Sequence, residues 1–164
     1  MDPDLVAWVR ASEGRVLALT LYGEGRGEPI EGRIAIGSVI RNRVRRRFRG
    51  TTYAEVCFWP WQFSCWKEGG GAANHAHLVA VVSALKHGGP PPWSDVERAI
   101  YDETCWVASG LTEGFIRDRV RGSLFYYAPA AMPGGTRPEW AERDGKPIPP
   151  LAVVGRHHFF AQVA

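Results

Sequence analysis

Residues 19–29 read Leu19-Thr20-Leu21-Tyr22-Gly23-Glu24-Gly25-Arg26-Gly27-Glu28-Pro29. The largely apolar run from Arg15 to Tyr22 predicts a core helix. Three glycines and a proline then break it, and Pro29 suits the first turn of a new helix. That helix is predicted over about 29–47, where Ile30, Ile34, Ala35, Val39, Ile40 and Val44 make a broad apolar face. The stretch is therefore a corner between two helices. Glu24 stands in it, at the C-terminal end of an apolar helix and between glycines. Such a carboxylate can face a cleft while the helix it leaves partly desolvates it. Desolvation raises a carboxyl pKa, which is what a general acid needs at neutral pH. The competing reading is an ordinary polar turn. Glu28 lies four residues on, but the intervening glycines argue against a shared helical face. Its structural roles are to cap the helix at Pro29 or to pair with Arg26.

Outward from this corner, residues 4–11 predict a helix favoured by Asp4 at its start. Residues 53–57 predict a short helix, and residues 74–87 a longer one. Ser94 and Glu97, at capping-box spacing, open a helix that carries Val96, Ile100 and Val107 to about Ser109. Gly69-Gly70-Gly71 reads as a flexible loop and Gly88-Gly89-Pro90-Pro91-Pro92 as a rigid turn. Leu124 to Tyr127, Leu151 to Val154 and His158 to Val163 read as strands. The six prolines of residues 128–150 mark a loop between them. The outline is one α+β domain over residues 1–164, mainly helical, with a small β element in the C-terminal third.

A chain of 164 residues is a common size for one domain. Its 45% hydrophobic and 23% charged residues exclude wholesale disorder. Mean hydropathy is −0.20, and no apolar run approaches the roughly 20 residues that cross a bilayer, so membrane insertion is not expected. The N-terminus Met1-Asp2-Pro3-Asp4 lacks the basic and apolar regions of a secretory signal. The expectation is synthesis in the cytoplasm, with the protein either working inside the cell that makes it or released by something other than the general export route. Of the 20 basic residues 17 are Arg, and six of these fall within residues 41–49, which hold no acid. The net charge of +3 is therefore local in origin. The tract reads either as a solvated helix end that complements the helix dipole or as a grip on an anionic polymer. No nucleic-acid module is recognisable, so specific nucleic-acid binding is not expected.

Phe58 to Trp66 holds five aromatic residues in nine positions, interleaved with Pro60, Gln62 and Ser64. Packing is one reading. Flat faces beside amides and hydroxyls also suit a sugar or a nucleobase. Tyr126 and Tyr127 alternate across a strand, so one can face the core and the other a cleft. The histidines His75, His77, His87, His157 and His158 lack the i, i+4 spacing of a zinc helix, and no metal or other cofactor is expected. Three cysteines argue against a full disulfide framework. Cys57 and Cys65 could close a small loop, or all three could be buried thiols.

Taken together, Leu19 to Glu28 followed by Glu31 to Val44, then Gln62-Phe63-Ser64, Ser123 to Pro129 and Val154 to Phe160, resemble the spore cortex-lytic (SleB-type) cell-wall hydrolases. That family has a Gly-Glu-Ala-Arg-Gly-Glu turn, a helix ending Asn-Arg-Val, a Gln-Phe-Ser segment and a closing Gly-x-His-x-Phe strand. This chain has Gly25 where the family usually has Ala, which loosens the turn but removes no functional group. The resemblance covers about residues 16–161 and implies a lysozyme-like, lytic transglycosylase-like fold. It implies cleavage of the β-1,4 bond between N-acetylmuramic acid and N-acetylglucosamine in peptidoglycan. Carried over by position, Glu24 is the catalytic acid, and Glu28, Gln62, Phe63, Ser64, Tyr126 and Tyr127 are candidates for binding substrate. The partner implied is peptidoglycan, with the chain acting as a monomer. A single well-placed acid suits a lytic transglycosylase. A hydrolytic muramidase would recruit Glu28 as second carboxylate. A zinc-dependent amidase would need the histidines to converge, and a non-catalytic wall-binding module would need only the aromatic cluster and the Arg tract. The missing signal peptide resembles a phage endolysin.

Overall fold

The computed structural model describes residues 1–68 and 72–161. Gly69-Gly70-Gly71, read above as a loop, lies outside the described residues, as does the end of the last expected strand beyond Ala161. The helices are α1 (Pro3–Arg10), α2 (Glu13–Gly25), α3 (Ile30–Arg45), α4 (Tyr53–Cys57), α5 (Ala72–His87) and α6 (Asp95–Thr112). The strands are β1 (Phe125–Tyr127), β2 (Glu142–Arg143), β3 (Lys146–Pro147), β4 (Ala152–Val154) and β5 (His157–Phe160). The architecture is α+β, with its sheets confined to the C-terminal third.

The helix α2 is the centre of the body. Ser12 caps it through Arg15 N–H, and every residue from Val16 to Gly23 is buried. A helix apolar on all sides can only be covered all round, and α1, α3, α4, α5 and α6 all lie against it. Leu17, Leu19, Leu21 and Tyr22 have no exposed surface. Burying each such side chain contributes about 1.5–3 kcal/mol. Gly37 lets α3 approach α6, since a Cβ there would stand 2.4 Å from Leu111 Cδ1.

The sheet order is β1-β5-β4, antiparallel throughout, with Phe125 opposite Phe160, Tyr126 opposite Phe159 and Tyr127 opposite His158. Phe159 packs with Ala35, Val39 and Val120 in a second, smaller apolar cluster. Tyr126 lies against both clusters and joins the sheet to the helices.

Three expectations change. The first helix at the corner does not stop at Tyr22: it runs through Gly23 and Glu24 to Gly25, so Glu24 belongs to its last turn. The segment 128–150 is not featureless, because it holds three 3-10 turns and the β2–β3 hairpin, with Asp144 and Gly145 at positive φ in its turn. The Arg tract is not simply a solvated helix end. Arg41 and Arg43 are buried, and they donate to Ile116 O (2.6 Å) and Leu124 O (2.7 Å). Burial lowers the Arg43 pKa to about 10, which leaves it a cation at neutral pH. Arg45, Arg46 and Arg47 are exposed. Cys57, Cys65 and Cys105 are free thiols.

Candidate functional site

The last turn of α2 is held from two sides. On one, the 3-10 turn Ser64–Trp66 comes against Gly23 so closely that a Cβ there would stand 2.6 Å from Cys65 Cβ and 2.8 Å from its Sγ. Only glycine admits that approach. On the other, Asn74 of α5 donates Nδ2–H to Gly23 O at 2.7 Å, satisfying a carbonyl that the helix end would leave unpaired. The 3-10 turn is fixed in its own right. The Trp66 indole donates to Thr20 Oγ1 (2.9 Å), and buried His75 meets Cys65 O through Nδ1 (2.9 Å). A carbonyl can only accept, so His75 carries its proton on Nδ1.

This arrangement presents two donors to one oxygen of Glu24. Cys65 N–H lies 2.7 Å and Ser64 Oγ 3.1 Å from Oε1. Among the described residues Oε2 accepts no hydrogen bond. Glu24 itself is half-buried. Beneath it, burial pushes the Cys65 thiol well above its usual range, with the Glu24 charge adding to the effect. Burial likewise pushes Cys57 up to about 12, so neither thiol is a ready nucleophile. The Tyr126 hydroxyl is also raised, first by burial and then by Glu24, with Arg43 opposing. It therefore stays protonated and can both donate and accept.

Glu28 has a different fate. Its side chain is 5% exposed, and Arg156 from the β4–β5 turn engages its Oε1 through Nε (2.6 Å) and Nη2. His157 Nδ1 stands 3.6 Å from its Oε2. Neither structural role expected from the sequence holds. The Pro29 N-cap of α3 receives no side-chain hydrogen bond, and Arg26 pairs with Glu97 at 3.5 Å. The reason is reach. The corner turns the Glu28 side chain toward the late hairpin, which a reading of near neighbours could not include.

The remaining candidates divide. Ser64 touches Glu24 directly. Tyr126 points to the same side of the sheet as His157 and Phe159, with ring centroids 5.5 and 5.7 Å away. Tyr127 faces the other side, stacked on Phe160 at 5.6 Å with Trp140 edge-on at 5.7 Å. It lines a groove of about 440 Å³ with Pro129, Arg137 and His158. Gln62 is half-buried, and its backbone N–H closes a turn on Trp59 O at 3.1 Å. Phe63 is 3% exposed and packs in the core with the Arg43 guanidinium 5.8 Å from its ring centre, which leaves little face for a ligand. Its neighbours Trp59 and Trp61 are exposed, and they border a hollow of about 250 Å³ with Phe58, Trp66 and Lys67. The sequence alone does not mark Asn74, His75, Arg156 or His157 as site residues. Polar side chains opening an otherwise apolar helix were the available signal for the first two. Among the described residues no three His, Cys, Asp or Glu side chains converge as a metal site.

Residues 27–160 match the family model described as Cell Wall Hydrolase. The match begins just beyond Glu24. The chain is similar to the spore cortex-lytic enzyme of Bacillus subtilis (strain 168), with 36% identity over 89 residues, covering 53% of this chain and 28% of that protein. It is also similar to the spore cortex-lytic enzyme of Oceanobacillus iheyensis, with 36% identity over 73 residues, covering 41% of this chain and 26% of that protein. The matched segments thus span only about a quarter of those relatives' length, 28% and 26%. No solved structure matches the chain.

Proposed function

The chain belongs to the cell wall hydrolase family, and on that premise we propose that it degrades peptidoglycan by cleaving the β-1,4 bond between N-acetylmuramic acid and N-acetylglucosamine, as a lytic transglycosylase with Glu24 as its acid and base. The observation that carries this reading is the asymmetry of the Glu24 carboxyl. Two donors occupy Oε1, so a proton held by Glu24 belongs on Oε2, the oxygen left free. Oε2 gives that proton to the glycosidic oxygen as the bond from C1 of the muramic acid breaks. The C6 hydroxyl of the same sugar then attacks C1, and its proton passes to the carboxylate. The acid is restored, and the product ends in a 1,6-anhydro ring. Ser64 and Cys65 N–H stabilise the carboxylate in the interval when it is charged.

Retaining and inverting glycosidases place a second carboxyl across the bond. Glu28 is the nearest in sequence, but its buried carboxylate is already taken up by an ion pair with the largely exposed Arg156, which argues against that role. An internal hydroxyl nucleophile removes the need for it. The test is Glu24→Gln on purified peptidoglycan. We expect solubilisation to fall about 10²–10⁴-fold, the usual worth of positioned acid–base catalysis, with the thermal midpoint unchanged. Near-normal activity in that variant would overturn the assignment.

A further inference from the structure

We propose a second wall-binding site, a groove on the face of α3 turned away from Glu24, that holds a peptidoglycan glycan strand through sugar stacking on Trp106 and Phe115 and through ion pairs from Arg45, Arg117 and Arg119 to the free carboxylates of its stem peptides.

Two hollows meet along the segment that follows α6. One, of about 780 Å³, is lined by Ile34, Trp106, Phe115 and Arg119. The other, of about 540 Å³, is lined by Arg41, Arg45 and Tyr53. Glu113, Ile116, Arg117 and Asp118 line both, so the two hollows adjoin. Its position follows from helix geometry. Ile34, Arg41 and Arg45 lie about 180° round α3 from Ile36, Ile40 and Arg43. Those latter residues face the core, where Ile36 Cδ1 would lie 3.7 Å from a Cβ on Gly25. A strand in the groove therefore does not compete with one at Glu24.

The aromatic surface is built to be exposed. Phe115 is 81% and Trp106 60% exposed, although large rings are costly to leave in water. Phe115 is held outward by its neighbour. Ile116 is buried, its backbone N–H donates to Gly110 O (2.8 Å), and its carbonyl accepts from Arg41 (2.6 Å). Gly110 makes room for it, since a Cβ there would stand 2.6 Å from Ile116 Cδ1. Flat rings, Trp106 on α6 and Phe115 on the fixed segment after it, suit the apolar faces of pyranose sugars.

The charge balance selects an anionic polymer. Both carboxylates in the groove are already engaged. Asp118 accepts from Val120 N (2.8 Å), Gly122 N (2.6 Å) and Asn42 Nδ2 (3.3 Å), while Glu113 accepts from Ser109 Oγ (2.5 Å). Arg45, Arg117 and Arg119 are exposed, and among the described residues their side chains enter no ion pair or hydrogen bond. Rings and unpaired guanidiniums in one groove match a glycan that carries carboxylates.

The identity of this ligand rests on the activity proposed above, and the experiment separates the two. The full chain, Trp106→Ala/Phe115→Ala and Arg117→Gln/Arg119→Gln are each co-sedimented with purified sacculi stripped of teichoic acid. Each is also assayed on short soluble glycan fragments. We expect the aromatic pair to weaken sacculus binding roughly tenfold or more. The Arg pair should weaken it chiefly at low salt, because exposed charges are screened at high salt. Both should turn over soluble fragments at the unaltered rate. Unchanged sacculus binding by the aromatic variant would overturn the site. So would a loss seen only on walls that retain teichoic acid, or a loss explained by dissociation of a dimer of this chain. An unaltered chain that binds sacculi through Trp106 and Phe115 yet releases no fragments would contradict the activity and keep the site. One that releases fragments while the variants bind normally would do the reverse.

Discussion

At the scale of single residues, the site depends on which atoms are already spoken for. Glu24 and Glu28 are the same residue type four positions apart, and neither the spacing nor the glycines between them say which is free. Among the described residues, Glu24 keeps one unengaged oxygen at a helix end. Glu28 is closed off by Arg156 and by His157, whose own Nδ1 is buried without a hydrogen-bond partner. Burial lowers the His157 pKa, Arg156 adds to the effect and Glu28 opposes it. A base with a depressed pKa in the folded state is neutral there when its unfolded counterpart is charged. The unfolded state then binds more protons, and folding stability is lost as pH falls below about 6.5. We expect the thermal midpoint to drop between pH 7 and 5, and the drop to shrink in His157→Gln. Midpoints measured across that range check it, and equal slopes for the two proteins would contradict it.

At the scale of elements, one missing methyl group sets the approach of two segments. A side chain at Gly23 would strike Cys65, so Gly23→Ala forces the 3-10 turn away from α2. Overpacking of this kind costs about 1–3 kcal/mol. Here it should also pull Cys65 N–H and Ser64 off Glu24. Calorimetry and the lysis assay together test this, with a joint loss of stability and activity expected. Most helices were legible from periodicity and capping. The Ser94–Glu97 capping box, for one, opens α6 as expected. The end of α2 was not, because glycines usually mark a helix stop, and here tertiary packing over Gly23 and the Asn74 bond to its carbonyl carry the helix on. The Arg tract was half legible. Composition revealed the charge, but which guanidiniums turn inward depends on carbonyls of Ile116 and Leu124 far along the chain.

Across the whole molecule, the Glu28–Arg156 pair joins residues 128 apart and fastens the helical corner to the late sheet. That closure is why the site could be read only in part from the sequence. Glu24 and Ser64 are local features of recognisable stretches. The partners of Glu28, the opposite faces given to Tyr126 and Tyr127, and the burial of Phe63 follow from how sheet and helices meet. Glu28→Gln, which leaves the largely exposed Arg156 without its carboxylate, should cost about 1 kcal/mol of stability. Removing Arg156 as well should add little, because the two share one interaction. A double-mutant cycle on the unfolding midpoint measures this, and strictly additive losses would contradict the clamp. In the proposed mechanism one carboxylate suffices because the substrate brings its own nucleophile. Mass spectrometry of the fragments released from purified peptidoglycan tests it most directly. Transglycosylase action leaves 1,6-anhydro-muramyl ends; reducing ends formed by addition of water would overturn the mechanism.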